Sequence, residues 1–152
     1  MPKFSANLGM LFAEVPFLER FARARGAGFD GVEYPSPYGV APAQLAALLE
    51  AHELTQVLLN LPCGDFAKGE RGIACQPERR GEFRDGVGLG IEYARALGCE
   101  RLNCLAGPAP GISDALAFDT FVENLSFAAA ALGDAGIRLL IEPINGRDRP
   151  GF

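Results

Sequence analysis

The sequence predicts an α/β protein of the (β/α)8-barrel class, incomplete here, with about five parallel strands and four helices. Two observations carry this. Short apolar runs alternate with amphipathic stretches that close on glycine, and a polar residue stands at or near the C-terminal end of every strand run: Asn7, Glu33, Asn60, Asn103 and Glu142. Alternating strands and helices imply parallel pairing with right-handed crossovers, a rule that doubly wound sheets and barrels both satisfy. The polar strand ends favour the barrel, because barrels of this type build their active site on that face.

Each element follows from its residues. Residues 4–8 make a first strand, and Pro16 opens a helix whose apolar positions Phe17, Leu18, Phe21 and Ala22 keep helical spacing until Gly26. Residues 32–34 make a second strand; after Pro42, Leu45, Leu48 and Leu49 mark a second helix, and 55–61 is a third, strongly apolar strand. Pro77 opens the third helix, where Phe83, Val87, Ile91, Ala94 and Leu97 recur every three or four residues before Gly98 ends the run. Residues 101–105 form the fourth strand. Ser113 or Asp114 caps a fourth helix carrying Phe118, Phe121, Val122, Leu125 and Leu132, and 137–141 is a continuous, buried fifth strand.

The 152 residues are expected to form one domain, 1–152. A whole barrel takes about 250 residues, so roughly three strand–helix units lie beyond this pattern, and the chain reads as the N-terminal part of a barrel with unpaired edges at its first and last strands. Hydrophobic residues at 49% and charged residues at 22% fit an ordinary globular protein. A net charge of −5 without any run of Lys and Arg predicts no nucleic-acid or membrane partner. No apolar stretch approaches the ~20 residues of a bilayer span, and no apolar signal core follows Lys3, so the expected location is cytoplasmic. Cys63, Cys75, Cys99 and Cys104 lack CxxC spacing and clustered histidine, and read as reduced thiols.

Gly26, Gly28 and Gly31 spell GxGxxG with Glu50 about twenty residues on. The context is reversed from a dinucleotide site, since these glycines follow a helix and enter a strand, so they read as a helix end and turn and no nucleotide cofactor is expected. Gly86, Gly88 and Gly90 fall inside a helix, where they allow close packing or are tolerated. His52, the single histidine, ends the second helix and reads as an exposed terminal residue. The segment 62–76, PCGDFAKGERGIACQ, is far longer than the usual ~2–6-residue strand-to-helix loop and is expected to be functional. It carries Asp65, Lys68, Glu70 and Arg71. On an acidic protein either Arg71 or Lys68 is a sensible clamp for a substrate carboxylate. Glu142 follows the apolar Leu139, Leu140 and Ile141 and precedes Pro143, which makes it a metal ligand, a general base or a buried ion-pair member.

The stretches FSANLGMLF at 4–12, NLPCGDFAKGERGIACQPERRGEFRDGV at 60–87, YARALG at 93–98 and IEPIN at 141–145 resemble the hydroxypyruvate isomerase family, including 2-oxotetronate isomerase, within the xylose-isomerase-like barrels. The resemblance implies interconversion of hydroxypyruvate and tartronate semialdehyde through an enediolate, or the equivalent step on a four-carbon acid; the alternative is a noncatalytic half-barrel. It implies that Glu142 is the first of two acid–base glutamates and a metal ligand. It also implies a divalent ion, Mg2+ or Mn2+, with the second glutamate and other ligands on later strands. Arg71, Glu70, Lys68, Asn7, Asn60 and Asn103 are the expected contacts to a small hydroxy or keto acid, and a homo-oligomer is a possible assembly.

Overall fold

The structure, a computed structural model, describes residues 2–145 and 147. Five parallel strands lie side by side in chain order: β1 (Ser5–Asn7), β2 (Gly31–Tyr34), β3 (Thr55–Asn60), β4 (Arg101–Cys104) and β5 (Arg138–Ile141). The helices α1 (Arg20–Gly26), α2 (Pro42–Ala51), α3 (Arg80–Leu97) and α4 (Asp114–Asp134) connect them, so the chain is a partial barrel of the expected class. Short 3-10 turns, Phe17–Glu19 and Pro77–Arg79, lead into α1 and α3 where proline was expected to start each helix.

Local signals place the helix ends. Ser113, rather than Asp114, caps α4, its Oγ accepting from the Leu116 N–H at 3.3 Å. Gly98 ends α3 in the left-handed conformation at φ 62°, as the glycine stop predicts. Within α3, a Cβ on Gly90 would stand 2.7 Å from Leu61 Cδ2, so the missing side chain is what lets the helix settle on the sheet. Gly88 faces open space.

The outer sheet face is the core. Ala6, Val32, Leu59 and Leu102 are fully buried in one cluster with Phe21, Leu45, Phe83, Val87 and Leu132 of the helices. Burying each of the larger side chains contributes about 1.5–3 kcal/mol. In α1 the buried alanine is Ala24, whereas Ala22 is exposed.

Two expectations fail on the C-terminal side. The fifth strand is not buried: Ile141 is 61% exposed and Leu139 and Leu140 are half-buried, because β5 is the sheet edge. In α4, Phe118 and Val122 are exposed, while the deepest positions are Thr120, Asn124, Ala128 and Leu132. Thr120 accepts from Arg80 Nη2 at 3.2 Å and Asn124 donates to the Ala74 carbonyl at 2.9 Å, so polar groups anchor this helix to α3 and its approach. By length and hydropathy α4 would also pass as a bilayer span, contrary to the sequence reading; here it packs on α3 and β5.

Candidate active site

An open cavity of about 690 Å³ lies at the C-terminal ends of the strands. Its wall includes all five polar strand-end residues and one cation, Arg71. The volume suits a small molecule. Register explains the assembly. In parallel strands partnered residues face the same way, and Asn7 stands beside Glu33 while Asn60 stands beside Asn103. Between β2 and β3 the register shifts at Val32/Glu33, after which Glu33 stands opposite Leu58, a fellow cavity residue. This irregularity aligns Glu33 with the inner row, and the strand pattern alone did not reveal it.

The side chains make two groups. Asn7 Nδ2 donates to Glu33 Oε1 at 3.2 Å, and Asn7 Oδ1 accepts from the Gly9 N–H at 2.9 Å. Asn103 Nδ2 donates to Asn60 Oδ1 at 3.1 Å and, more weakly, to Glu142 Oε2 at 3.5 Å. Asn103 is only 3% exposed and its Oδ1 has no partner among the described residues. An orphaned buried carbonyl of this kind is an acceptor in want of a donor. Tyr38, which the sequence reading passed over, fixes the end of β3 by donating from its hydroxyl to the Asn60 carbonyl at 2.6 Å.

Glu142 comes to the rim directly after β5 and is exposed. No cation pairs with it among the described residues, so the buried ion-pair alternative does not apply in this structure. Its position leaves proton transfer or ligation open. Among the described residues no cluster of three His, Cys, Asp or Glu side chains forms a metal site.

Segment 62–76 is tightly organised. Asp65 caps the 3-10 turn Phe66–Lys68, accepting from the Lys68 N–H at 3.1 Å, and Gly69 follows at φ 90°. Gly72, at φ 134°, meets Gly107 of the loop after β4 so closely that a Cβ on Gly107 would collide with the Gly72 carbonyl oxygen. Only paired glycines permit that crossing. Arg71 is held beside it: its guanidinium lies 3.6 Å from the Phe66 ring centroid, and Nη1 donates to the carbonyls of Phe66 at 3.0 Å and Glu70 at 2.7 Å. No carboxylate pairs with Arg71 among the described residues, which leaves a charged group with spare donors on the cavity wall.

The other loop residues expected to contact substrate do not line the cavity. Lys68 is 83% exposed and pairs with Asp65 at 3.0 Å. Glu70 is drawn to Arg79, whose Nη1 and Nη2 reach its two oxygens at 2.7 and 3.1 Å. Both placements have one cause: an opposite charge close by, Asp65 for Lys68 and Arg79 for Glu70, takes the side chain. His52 is half-buried at the end of α2 and is not part of the cavity wall. The four cysteines are free; burial pushes the Cys104 thiol up to about 12, with Cys75 nearby adding to the shift, which keeps it protonated and inert.

A parallel partial barrel with its polar groups gathered on the C-terminal rim defines a class, and comparison with known proteins agrees: residues 21–152 match the family described as xylose isomerase-like TIM barrel. The chain belongs to that family. It is 53% identical over 153 aligned positions to hydroxypyruvate isomerase of Escherichia coli (strain K12), and 48% identical over the same span to 2-oxo-tetronate isomerase of Cupriavidus necator, in each case across all of this chain and 59% of the relative. A crystal structure from Brucella melitensis described as AP endonuclease, family 2, superimposes with a TM-score of 0.96 at 47% identity, again over 100% of this chain and 59% of the other. The chain thus spans about 59% of the length of these relatives.

Proposed function

We propose that this site belongs to an isomerase of small hydroxy and keto acids, of the hydroxypyruvate isomerase kind, in which Glu142 transfers the proton and Arg71 holds the substrate carboxylate. The observation that carries the reading is the shared cavity: a carboxylate and a guanidinium, neither of which has an oppositely charged partner among the described residues, line it together with three amides. The E. coli and C. necator relatives support the reaction class.

In the proposed reaction, Glu142 removes a proton from the hydroxyl-bearing carbon of hydroxypyruvate, next to the carbonyl. The electron pair left behind forms the carbon–carbon double bond of an enediolate, and the former carbonyl oxygen takes up the negative charge. Return of the proton to the former carbonyl carbon, with a proton passing between the two oxygens, gives tartronate semialdehyde. Asn103 keeps Glu142 oriented through its Nδ2, and its orphaned Oδ1 accepts from a substrate hydroxyl. Arg71 binds the carboxylate that is untouched by the chemistry. The similarity to 2-oxo-tetronate isomerase favours a second substrate, a four-carbon acid treated by the same steps.

A divalent cation, when bound, would stabilise the developing oxyanion. Of the residues here, Glu142 would offer it one carboxylate and Asn103 one carbonyl. The chain's net charge of −5 suits a small anion held by one local cation better than a phosphate backbone. The test is Glu142→Gln in the intact protein, which retains shape and loses basicity. Turnover of hydroxypyruvate should fall by about 10²–10⁴-fold, with the urea midpoint nearly unchanged. Near-normal turnover would overturn the assignment.

A further inference from the structure

We propose that Glu70 is a positioning residue: through its two-pronged ion pair with Arg79 it pins segment 62–76 to the start of α3 and so sets the Arg71 guanidinium on the cavity wall. The inference rests on the reading of Arg71 as the carboxylate clamp.

Three observations support it. First, Glu70 is not among the residues that line the cavity, and both its oxygens are spent on the structure: Arg79 takes both, and Oε2 also accepts from the Asp65 N–H. Arg79 and the backbone bond hold the Glu70 carboxyl well below the usual carboxylate range, as expected for a group that stays charged. Second, Arg79 is itself fixed, because Glu82 on the first turn of α3 accepts from its Nε and Nη2, each at 2.7 Å, and Gln76 accepts from its Nη1 at 3.2 Å. The anchor therefore belongs to a helix that is part of the core. Third, Glu70 and Arg71 are neighbours in sequence, and the Glu70 carbonyl is one of the two that hold Arg71 Nη1. Displacing Glu70 displaces a wall of the Arg71 seat. Residues 72–76 have ties of their own, Gly72 N–H to Cys63 O and Cys75 N–H to Ala106 O, each at 3.0 Å, with Asn124 Nδ2 on the Ala74 carbonyl and Gln76 Nε2 on the Pro108 carbonyl, each at 2.9 Å; among the described residues, the ion pair of Glu70 with Arg79 is what links 65–71 by side chains to the approach of α3.

The arrangement separates two jobs within one dipeptide. Arg71 contacts the ligand while Glu70 sets where Arg71 stands, and two side chains of opposite charge that neighbour each other in sequence avoid neutralising one another because Arg79 takes the acid. An arginine paired with Glu70 would be a poorer receptor for an anion.

The test uses Glu70→Gln, Arg71→Ala and the double variant of the intact protein, with hydroxypyruvate as the probe, and reads KM, kcat and the initial rate of tryptic cleavage after Lys68 and Arg71. Glu70→Gln is expected to raise KM by about 3–10-fold with kcat within about twofold, because a loosened segment presents the competent Arg71 position for only a fraction of the time. Cleavage should accelerate by a similar factor. In the Arg71→Ala background, Glu70→Gln should add nothing to KM, since its effect runs through the missing guanidinium. A further rise in KM in that background, or an unchanged cleavage rate in the single variant, overturns the proposal. If Arg71→Ala itself leaves KM unaltered, the clamp reading fails, and the cleavage rate alone decides whether Glu70 pins the segment.

Discussion

Helices α3 and α4 lie side by side, yet they use their apolar residues in opposite ways. In α3 the buried positions are Phe83, Gly86, Val87, Gly90, Tyr93, Ala94 and Leu97, so its apolar stripe and its buried face coincide. In α4 the fully buried side includes Thr120 and Asn124, while Phe118, Val122 and Phe127 are exposed. The same contrast holds for strands: the apolar run in β3 includes fully buried Leu59, whereas the equally apolar β5 ends on an Ile141 that is mostly in solvent. Apolar composition creates a demand for burial, and only a neighbouring element meets it. The two sides also divide the candidate site: Asn60, Asn103 and the anchored Arg71 belong to the enclosed middle, and Glu142 to the open edge.

The largest effect that would sharpen this comparison is a pair of matched truncations. Phe83→Ala in α3 should cost about 3–5 kcal/mol by urea unfolding, and Phe118→Ala in α4 should stay within about 0.5 kcal/mol. Equal losses would mean that α4 is covered after all. An intermediate effect is expected at the polar anchor. Asn124→Ala strips the Ala74 carbonyl of its buried donor and should cost about 1–3 kcal/mol, whereas Ser126→Ala, two residues away on the exposed side, should be nearly silent by the same measurement. The smallest effect concerns pH. The depressed titration of Glu70 contributes stability that is present above its unfolded value near 4.5 and disappears as pH falls through the lower folded value. Because the pair is 36% and 23% exposed on its two sides, the gain of wild type over Glu70→Gln should be below about 1 kcal/mol at neutral pH. It should shrink towards zero in unfolding titrations taken below pH 4.5, and a gain that grew on acidification would break the assignment.

Much of the site was legible in the residues because connectivity does the geometric work. Once Asn7, Glu33, Asn60, Asn103 and Glu142 are read as strand ends of repeated strand–helix units, parallel pairing carries them to one rim, and the cavity contains all five. Arg71 was legible as one of two candidate cations in an overlong loop. What separated it from Lys68 was local: a stacked ring and two carbonyls hold Arg71 on the wall, while Asp65 turns Lys68 outward. The pairing of Glu70 with Arg79 was not legible, because Arg79 lies in what reads as the start of the next helix. The glycine crossing of Gly72 on Gly107 left no trace either, since nothing in either loop announces the other.

The amino-acid sequence by itself determined the kind and order of the elements and where their polar ends fall. Those properties arise from residues a few positions apart, through helical spacing, proline at helix entries and glycine at helix exits. Tertiary structure decided which apolar faces are covered, which side of α4 is hidden and which charged loop residue stands on the cavity wall. These depend on atoms brought together from distant positions, Asn124 with Ala74 or Arg80 with Glu123, and both burial and ion pairing are properties of neighbours in space that periodicity along the chain does not encode.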